Sequence, residues 1–347
     1  MKLKLLHKII IVFSFTASYS VSFSQSTKFQ GISDAVDSLL QTNHPRPFNG
    51  QIILAVNDAI FYKKSIGFSK DKTEFTQTDK FIIGSLSKQI TAVLILRAVE
   101  EEKLNLNDPI SKYLPNLKME WKNTITIHQL LNHTHGIIDL QEDLAFAPGT
   151  DFSYSNIGYQ LLGEILEQRY NSSYVQLASN LFTLCGIANH LASLTTKQPN
   201  LVEGKIKNKN NSYTTSTTHF TTAYIPAGYL IASTSDLLKW NTALHQQKLL
   251  QKESYQLLIT PSATQNHSLF GPIGYAYGIR VSDENRLKEI GHTGYAPGYI
   301  SMNLYYPEYK TSIIVLENLD WNDDAIRQTF YFEMKIREIF RQTLTKE

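Results

Sequence analysis

Phe81-Ile82-Ile83-Gly84-Ser85-Leu86-Ser87-Lys88 runs straight into a long apolar segment, Ile90 to Val99. That junction predicts a helix from near Ser85 to about Glu101, with apolar residues around most of its circumference, as in a buried central helix. Ser85 and Lys88 are three apart and so share one helix face, one turn from each other. A lysine desolvated at that place loses basicity and can take the proton of the serine hydroxyl, which makes the oxygen a nucleophile. The start of a helix also favours negative charge, and its backbone N–H groups can face a developing oxyanion. The same spacing recurs at Ser69 and Lys72, but in a charged loop where the lysine stays solvated and protonated.

Outward from this helix, the N-terminal side reads as an amphipathic helix over 31–42 and two strands, Gln51 to Val56 and Ile60 to Ser65, joined at Asn57-Asp58. Lys70 to Asp79 is polar loop. Beyond the central helix, short helices follow at Asp108 to Leu114 and Thr126 to Asn132, then longer ones at Gly158 to Tyr170 and Tyr174 to Leu184. Asn208 to Thr218 is low in apolar residues and reads as a surface excursion. Ala227 to Ile231 reads as a strand, and Ser235-Asp236 as the cap of a helix through Leu244. Tyr275 to Val281, Lys288 to His292, Tyr299 to Tyr305 and Thr311 to Leu316 read as strands, Pro307 to Tyr309 as a turn, and Asp323 to Thr343 as a closing helix. Strands come from both ends and helices from the middle. The expectation is an α/β (α+β) fold: a mainly antiparallel sheet flanked by helices, with an inserted all-helical subdomain. The boundaries are 25–84 plus 220–347 for the sheet part and 85–219 for the mainly helical part.

The first residues resemble a secretory signal. Lys2, Lys4 and Lys8 precede an apolar run from Ile9 to Phe15, and Ser22-Phe23-Ser24 offers small residues before a cut ahead of Gln25. The run is far shorter than the roughly 20 apolar residues of a membrane span. We therefore expect a cleaved leader over 1–24, a secreted or periplasmic product, and no stable membrane anchor. With 33 basic and 31 acidic residues the chain carries a net charge of +2, and no basic run marks a nucleic-acid partner. The expected partner is a small-molecule or peptide substrate; nothing in the sequence sets an oligomeric state. The single cysteine, Cys185, excludes an intrachain disulfide and sits among apolar neighbours, as a small packed residue does.

Two further motifs carry chemistry. Tyr154-Ser155-Asn156 is the only Tyr-x-Asn of the chain. A phenol is inert at neutral pH unless cations lie close; beside Lys88 it can shuttle protons, and Asn156 offers a donor and an acceptor for a substrate amide. By itself Tyr154 would be an ordinary half-buried aromatic. His292-Thr293-Gly294 lies on an expected strand: Gly294 permits close backbone approach, Thr293 supplies a hydroxyl, and His292 titrates near neutrality. By itself His292 would be a hydrogen-bonded structural histidine.

Taken together, Ser85-x-x-Lys88, Tyr154-x-Asn156 and His292-Thr293-Gly294 resemble, in order and separation, the penicillin-recognising serine hydrolases, the family of class C β-lactamases, DD-carboxypeptidases and related esterases. Leu104 to Pro109, Gln129 to Thr134, Pro148-Gly149 and Gly291 to Gly298 resemble it too, so the likeness spans roughly residues 30 to 340. The resemblance implies a β-lactamase/DD-peptidase-like fold and an acyl-enzyme mechanism. It makes Ser85 the acylated nucleophile, Lys88 its base, and Tyr154 the group that protonates the leaving group and serves the second half-reaction. Asn156, His292, Thr293, Gly294 and Tyr295 would bind substrate, with the N–H groups of Ser85 and Tyr295 as the oxyanion hole. It implies no metal and no cofactor.

The chain departs from the family in two places. His292 stands where β-lactamases usually have lysine, and a mostly neutral imidazole weakens the case for strong β-lactam hydrolysis. His135 stands where a small residue is more usual; His133 and His135 read as braces of the helix end near Gly136 rather than as zinc ligands, since no partner has suitable spacing. Tyr224, Tyr229, Tyr295 and Tyr299 are either cleft walls or sheet packing. The competing reading is a catalytically silent binder of peptidoglycan fragments or of a partner protein. Such a binder has no need to retain all three chemical residues.

Overall fold

Strand β1, Gly50–Val56, is buried on both faces, and its side chains divide by period two. Ile52 and Leu54 enter one core and Ile53 and Ala55 the other. Asn57 and Asp58 take left-handed φ of 48° and 69°, the conformation of a two-residue hairpin turn into β2, Ala59–Ile66. The computed structural model describes residues 27–187, 200–210, 212–217, 221–321 and 326–345, so the expected leader lies outside the described residues.

The other strands of the main sheet are β3, Ala263–His267; β4, Gly271–Tyr275; β5, Arg280–Ser282; β6, Glu289–Ala296; β7, Tyr299–Tyr306; and β8, Thr311–Glu317. Their order is β2-β1-β8-β7-β6-β5-β4-β3, antiparallel throughout. On one face, helix α1 (residues 27–40) and the closing helix, Tyr331–Thr345, pack Ile32, Val36, Phe332, Ile336 and Phe340 against Ile52, Leu54, Ile313 and Val315. On the other face lie α2, Ser87–Glu100, and the helix Thr234–His245, against Ile53, Ile314 and Leu316. The mixed fold with a large antiparallel sheet is the one expected.

Helix α2 is the apolar centre. Ile90, Val93, Ile95 and Leu96 are buried, each worth about 1.5–3 kcal/mol, which offsets the cost of burying Lys88 on the same helix. Farther along, α3 (Ile127–Leu131) opens with a capping box of Thr126 and Gln129. Then come α4, Asn156–Tyr170, and α5, Tyr174–Leu184.

Several local expectations need correction. Ala227 to Ile231 is not a strand: Ile225–Tyr229 forms a π-helical turn, and only Ile231–Ala232 is extended. Tyr275 to Val281 is interrupted, with Tyr275 ending β4 and Arg280 beginning β5. The hairpin of β3 and β4 went unread because Ala263–His267 has few β-branched or aromatic residues. Ser233, not Ser235, caps the Thr234–His245 helix, in a reciprocal pair with Asp236. The excursion after residue 204 contains a small hairpin, Lys205–Lys207 with Tyr213–Thr215. The closing helical region is two helices, Ile326–Thr329 and Tyr331–Thr345.

A buried ion pair ties the chain ends together. Arg46, fully buried, donates to both carboxylate oxygens of Glu317 at 2.7 and 2.6 Å and to the carbonyls of Gln328 and Thr329. Burial and the neighbouring Glu317 push the Glu333 carboxyl well above its ordinary range. Replacing Arg46 by Met should cost about 3–5 kcal/mol, because the Glu317 charge is left buried and unpaired. Urea unfolding checks this; a loss under about 1 kcal/mol would show that Glu317 finds another partner.

Candidate active site

Gly84–Leu86 forms a 3₁₀ turn that leads into α2 and presents Ser85, partly exposed, at the helix start. The turn is held from three sides. The Ser87 hydroxyl donates to Gly84 O at 2.8 Å and accepts the Leu230 N–H at 3.1 Å, while the Ser301 hydroxyl donates to Ile83 O at 2.8 Å. Gly84 has a left-handed φ of +54°, and a Cβ there would sit 2.5 Å from the Tyr295 nitrogen. A Cβ on Gly294 would sit 2.2 Å from Ile83 O and 3.0 Å from the Ser85 nitrogen. Two glycines thus bring strand β6 into direct contact with the turn that carries Ser85. The backbone amides of Ser85 and Tyr295 are on the two sides of that contact.

Lys88 is fully buried, and its Nζ lies 2.6 Å from Ala227 O, 2.7 Å from Asn156 Oδ1 and 3.1 Å from Ser85 Oγ. The first two neighbours are acceptors only. A neutral amine has two N–H bonds and one lone pair. With both N–H groups given to Ala227 and Asn156, the lone pair is left for the Ser85 hydroxyl. Burial pulls the Lys88 amine below its ordinary value; Tyr154 opposes this and Arg280 adds to it. No carboxylate contributes to the balance.

Tyr154 comes from the extended segment before α4, and Asn156 is the first residue of that helix. The Lys88 Nζ is 4.8 Å from the Tyr154 ring centre. The Tyr154 hydroxyl is shielded and has no hydrogen-bond partner among the described residues. A shielded hydroxyl without a partner is costly and uncommon away from functional sites. Asn156 has its carbonyl oxygen committed to Lys88, which leaves its N–H groups to meet a substrate.

On β6, His292 is buried, and its ring nitrogens face protein groups: Nε2 lies 3.2 Å from the Tyr275 hydroxyl and Nδ1 2.5 Å from Thr293 O. Burial, with Arg280 next, holds its pKa well below the ordinary histidine range. A cation nevertheless lies beside His292, on the neighbouring strand. Arg280 pairs with Gly291 across β5 and β6, and its Nη1 donates to Thr293 Oγ1 at 2.9 Å. It lies 5.8 Å from the Tyr154 ring centre and has no acidic partner among the described residues. The sequence signal for it was a lone arginine inside an apolar strand, Ile279-Arg280-Val281.

The remaining candidates fall into place. Tyr224 and Tyr229 face each other at 5.8 Å, flanking the π-helical turn that carries Ala227. Tyr295 is half exposed and donates its hydroxyl to Asp320 at 2.7 Å. Tyr299 is a packing residue: buried, it donates to Val202 O and accepts the Gly204 N–H. His133 accepts the Ser155 N–H at Nδ1, and His135 accepts the Ile137 N–H at Nδ1. Among the described residues no cluster of three or more His, Cys, Asp or Glu is placed to hold a metal ion. Burial pushes the Cys185 thiol up to about 12, far from a nucleophile's range. No helix among the described residues is long and apolar enough to cross a membrane.

A family model of β-lactamases matches residues 48–332, which include every residue of this cluster. The chain belongs to the β-lactamase family. Within it, the chain is 28% identical over 326 residues to Protein flp of Staphylococcus aureus strain N315, covering 84% of this chain and 63% of that protein. It therefore spans less than two thirds of the length of that relative. It is 25% identical over 313 residues to Penicillin-binding protein 4* of Bacillus subtilis strain 168, covering 78% of this chain and 68% of the relative. Among solved structures it is similar in fold to the D-amino acid amidase of Ochrobactrum anthropi SV3, at a TM-score of 0.78 and 18% identity, covering 90% and 99% of the two chains.

Proposed function

We propose that this β-lactamase-family chain is an exported serine hydrolase that cleaves an ester, amide or peptide bond through an acyl-enzyme. The observation that carries the reading is the Lys88 amine, whose two N–H groups have fixed acceptors and whose third direction faces Ser85. Ser85 Oγ attacks the carbonyl carbon as its proton passes to Lys88 Nζ. The carbonyl electrons move onto oxygen, facing the amides of Ser85 and Tyr295. The tetrahedral centre collapses, the bond to the leaving group breaks, and Tyr154 supplies the proton that group takes away, regaining one from Lys88. Water then attacks the acyl carbon, Tyr154 takes its proton while passing its own to Lys88, the bond from the acyl carbon to Oγ breaks, and Ser85 Oγ recovers its proton from Lys88. The likeness to a D-amino acid amidase lends support to an amide bond. A neutral His292 weighs against strong β-lactam hydrolysis.

The test is covalent. A fluorophosphonate or penicillin probe should add its mass to the peptide that carries Ser85; a folded protein that takes up neither probe would end the reading and favour a silent binder. Export is tested separately, by sequencing the N-terminus of the mature protein, with Gln25 expected first.

Arg280 and Thr293 favour substrates with a carboxylate near the scissile bond. For Arg280→Gln we expect kcat/KM to fall about 10- to 100-fold on a carboxylate-bearing substrate, the scale of a charged hydrogen bond. A matched neutral ester should change less than about threefold. Equal losses on both would remove Arg280 from substrate binding.

A further inference from the structure

His133, Tyr275 and His292 stand in a row between the two motifs that face each other across the site. His133 Nε2 lies 3.1 Å from the Tyr275 hydroxyl, and that hydroxyl lies 3.2 Å from His292 Nε2. The far nitrogens meet backbone: His133 Nδ1 faces the Ser155 N–H at 3.2 Å, and His292 Nδ1 faces Thr293 O at 2.5 Å. An N–H can only donate and a carbonyl can only accept. Burial, with the Arg280 charge added to it, keeps both imidazoles neutral, with one proton each. The two ends then set a single direction. Ser155 N–H donates to His133 Nδ1, so His133 carries its proton on Nε2 and donates to Tyr275. The Tyr275 hydroxyl donates to His292 Nε2, so His292 carries its proton on Nδ1 and donates to Thr293 O. Arg280 Nη1 also lies 3.1 Å from His292 Nδ1. That donor competes with the Thr293 carbonyl for Nδ1; the closer Thr293 contact, 2.5 against 3.1 Å, and the second acceptor that Nη1 has in Thr293 Oγ1 favour the proton on Nδ1.

We propose that Tyr275 is a positioning residue, whose hydroxyl completes a one-way hydrogen-bond chain holding the Tyr154-Ser155-Asn156 segment in register with His292-Thr293-Gly294. Its catalytic consequence rests on the hydrolase reading above; the chain itself does not. Ser155 lies between Tyr154 and Asn156, and Thr293 lies two residues before the oxyanion donor Tyr295. Tyr275 reaches both from β4, a strand that carries none of the three motifs. Small misplacements of reacting groups are expensive in rate, so a link of this kind affects kcat more than binding.

The experiment uses the full chain and reads imidazole protons by two-bond ¹H–¹⁵N correlation, with His133 and His292 assigned by single substitution. We expect His133 protonated at Nε2 and His292 at Nδ1 in the wild type. In Tyr275→Phe, which keeps the ring, His292 should leave the pure Nδ1 form, and kcat should fall about tenfold with KM within about threefold. A wild-type His292 protonated at Nε2 overturns the proposal, as does a Tyr275→Phe enzyme with unchanged kcat. Failure of the hydrolase reading shows elsewhere, as absence of probe on Ser85 in a wild type whose tautomers are as stated.

Discussion

Ser85→Ala is expected to lower turnover of any acyl substrate by at least about 10⁴-fold and to abolish probe attachment, with the fold unchanged. The size follows from the role: with the nucleophile gone, the amides and the neighbouring groups can only assist direct attack by water. The fold should survive because the Ser85 hydroxyl contributes little to the turn. Ser87 and Ser301 hold that turn through Gly84, Leu230 and Ile83, and the two glycine contacts do not involve the Ser85 side chain. Thermal unfolding within a few degrees of wild type, together with lost turnover, is the expected pair of results. Retained turnover would place the chemistry on another residue.

Lys88→Met is the second large effect. It keeps an unbranched side chain in the buried slot while deleting the base, so acylation should slow by about 10³- to 10⁴-fold, the upper range of general-base assistance. The wild-type rate of acylation should rise with pH along a limb centred below 10.5, because burial lowers the amine's pKa and only its neutral form accepts the proton. The variant should lack that limb. Stability carries the same signature with a definite sign. A lysine whose folded pKa is depressed is bound to fewer protons when folded than when unfolded, so stability rises with pH between the folded value and 10.5. Wild type should therefore gain on Lys88→Met across that window. A difference independent of pH would mean that Lys88 stays charged in its slot.

Much of this was legible along the chain. The buried central helix, the Asn57-Asp58 turn and the strands β6, β7 and β8 follow from apolar periodicity and turn chemistry, and the three motifs could be placed on them. What escaped depended on contacts between distant segments. Ala227 to Ile231 is as apolar as a strand, yet its backbone groups are satisfied by side chains of α2: Lys88 takes Ala227 O, Thr91 takes Pro226 O, and Ser87 takes Leu230 N–H. With those groups already bonded, a ladder is not needed, and the segment closes into a turn. Arg280 escaped because its neighbours in sequence are apolar; its meaning comes from Thr293, reached only through strand pairing. His133 was read as a brace of the helix end, whereas its partners are Tyr275 and Ser155, reached because it takes a left-handed φ of 63° just past α3.

The bare backbone contact between Gly84 and Gly294 also bears on how this chain can diversify. The spacing of the two amides at Ser85 and Tyr295 is gauged by main chain resting on main chain, with no side chain between them that mutation could lengthen or shorten. Drift elsewhere in the molecule therefore leaves that gauge alone.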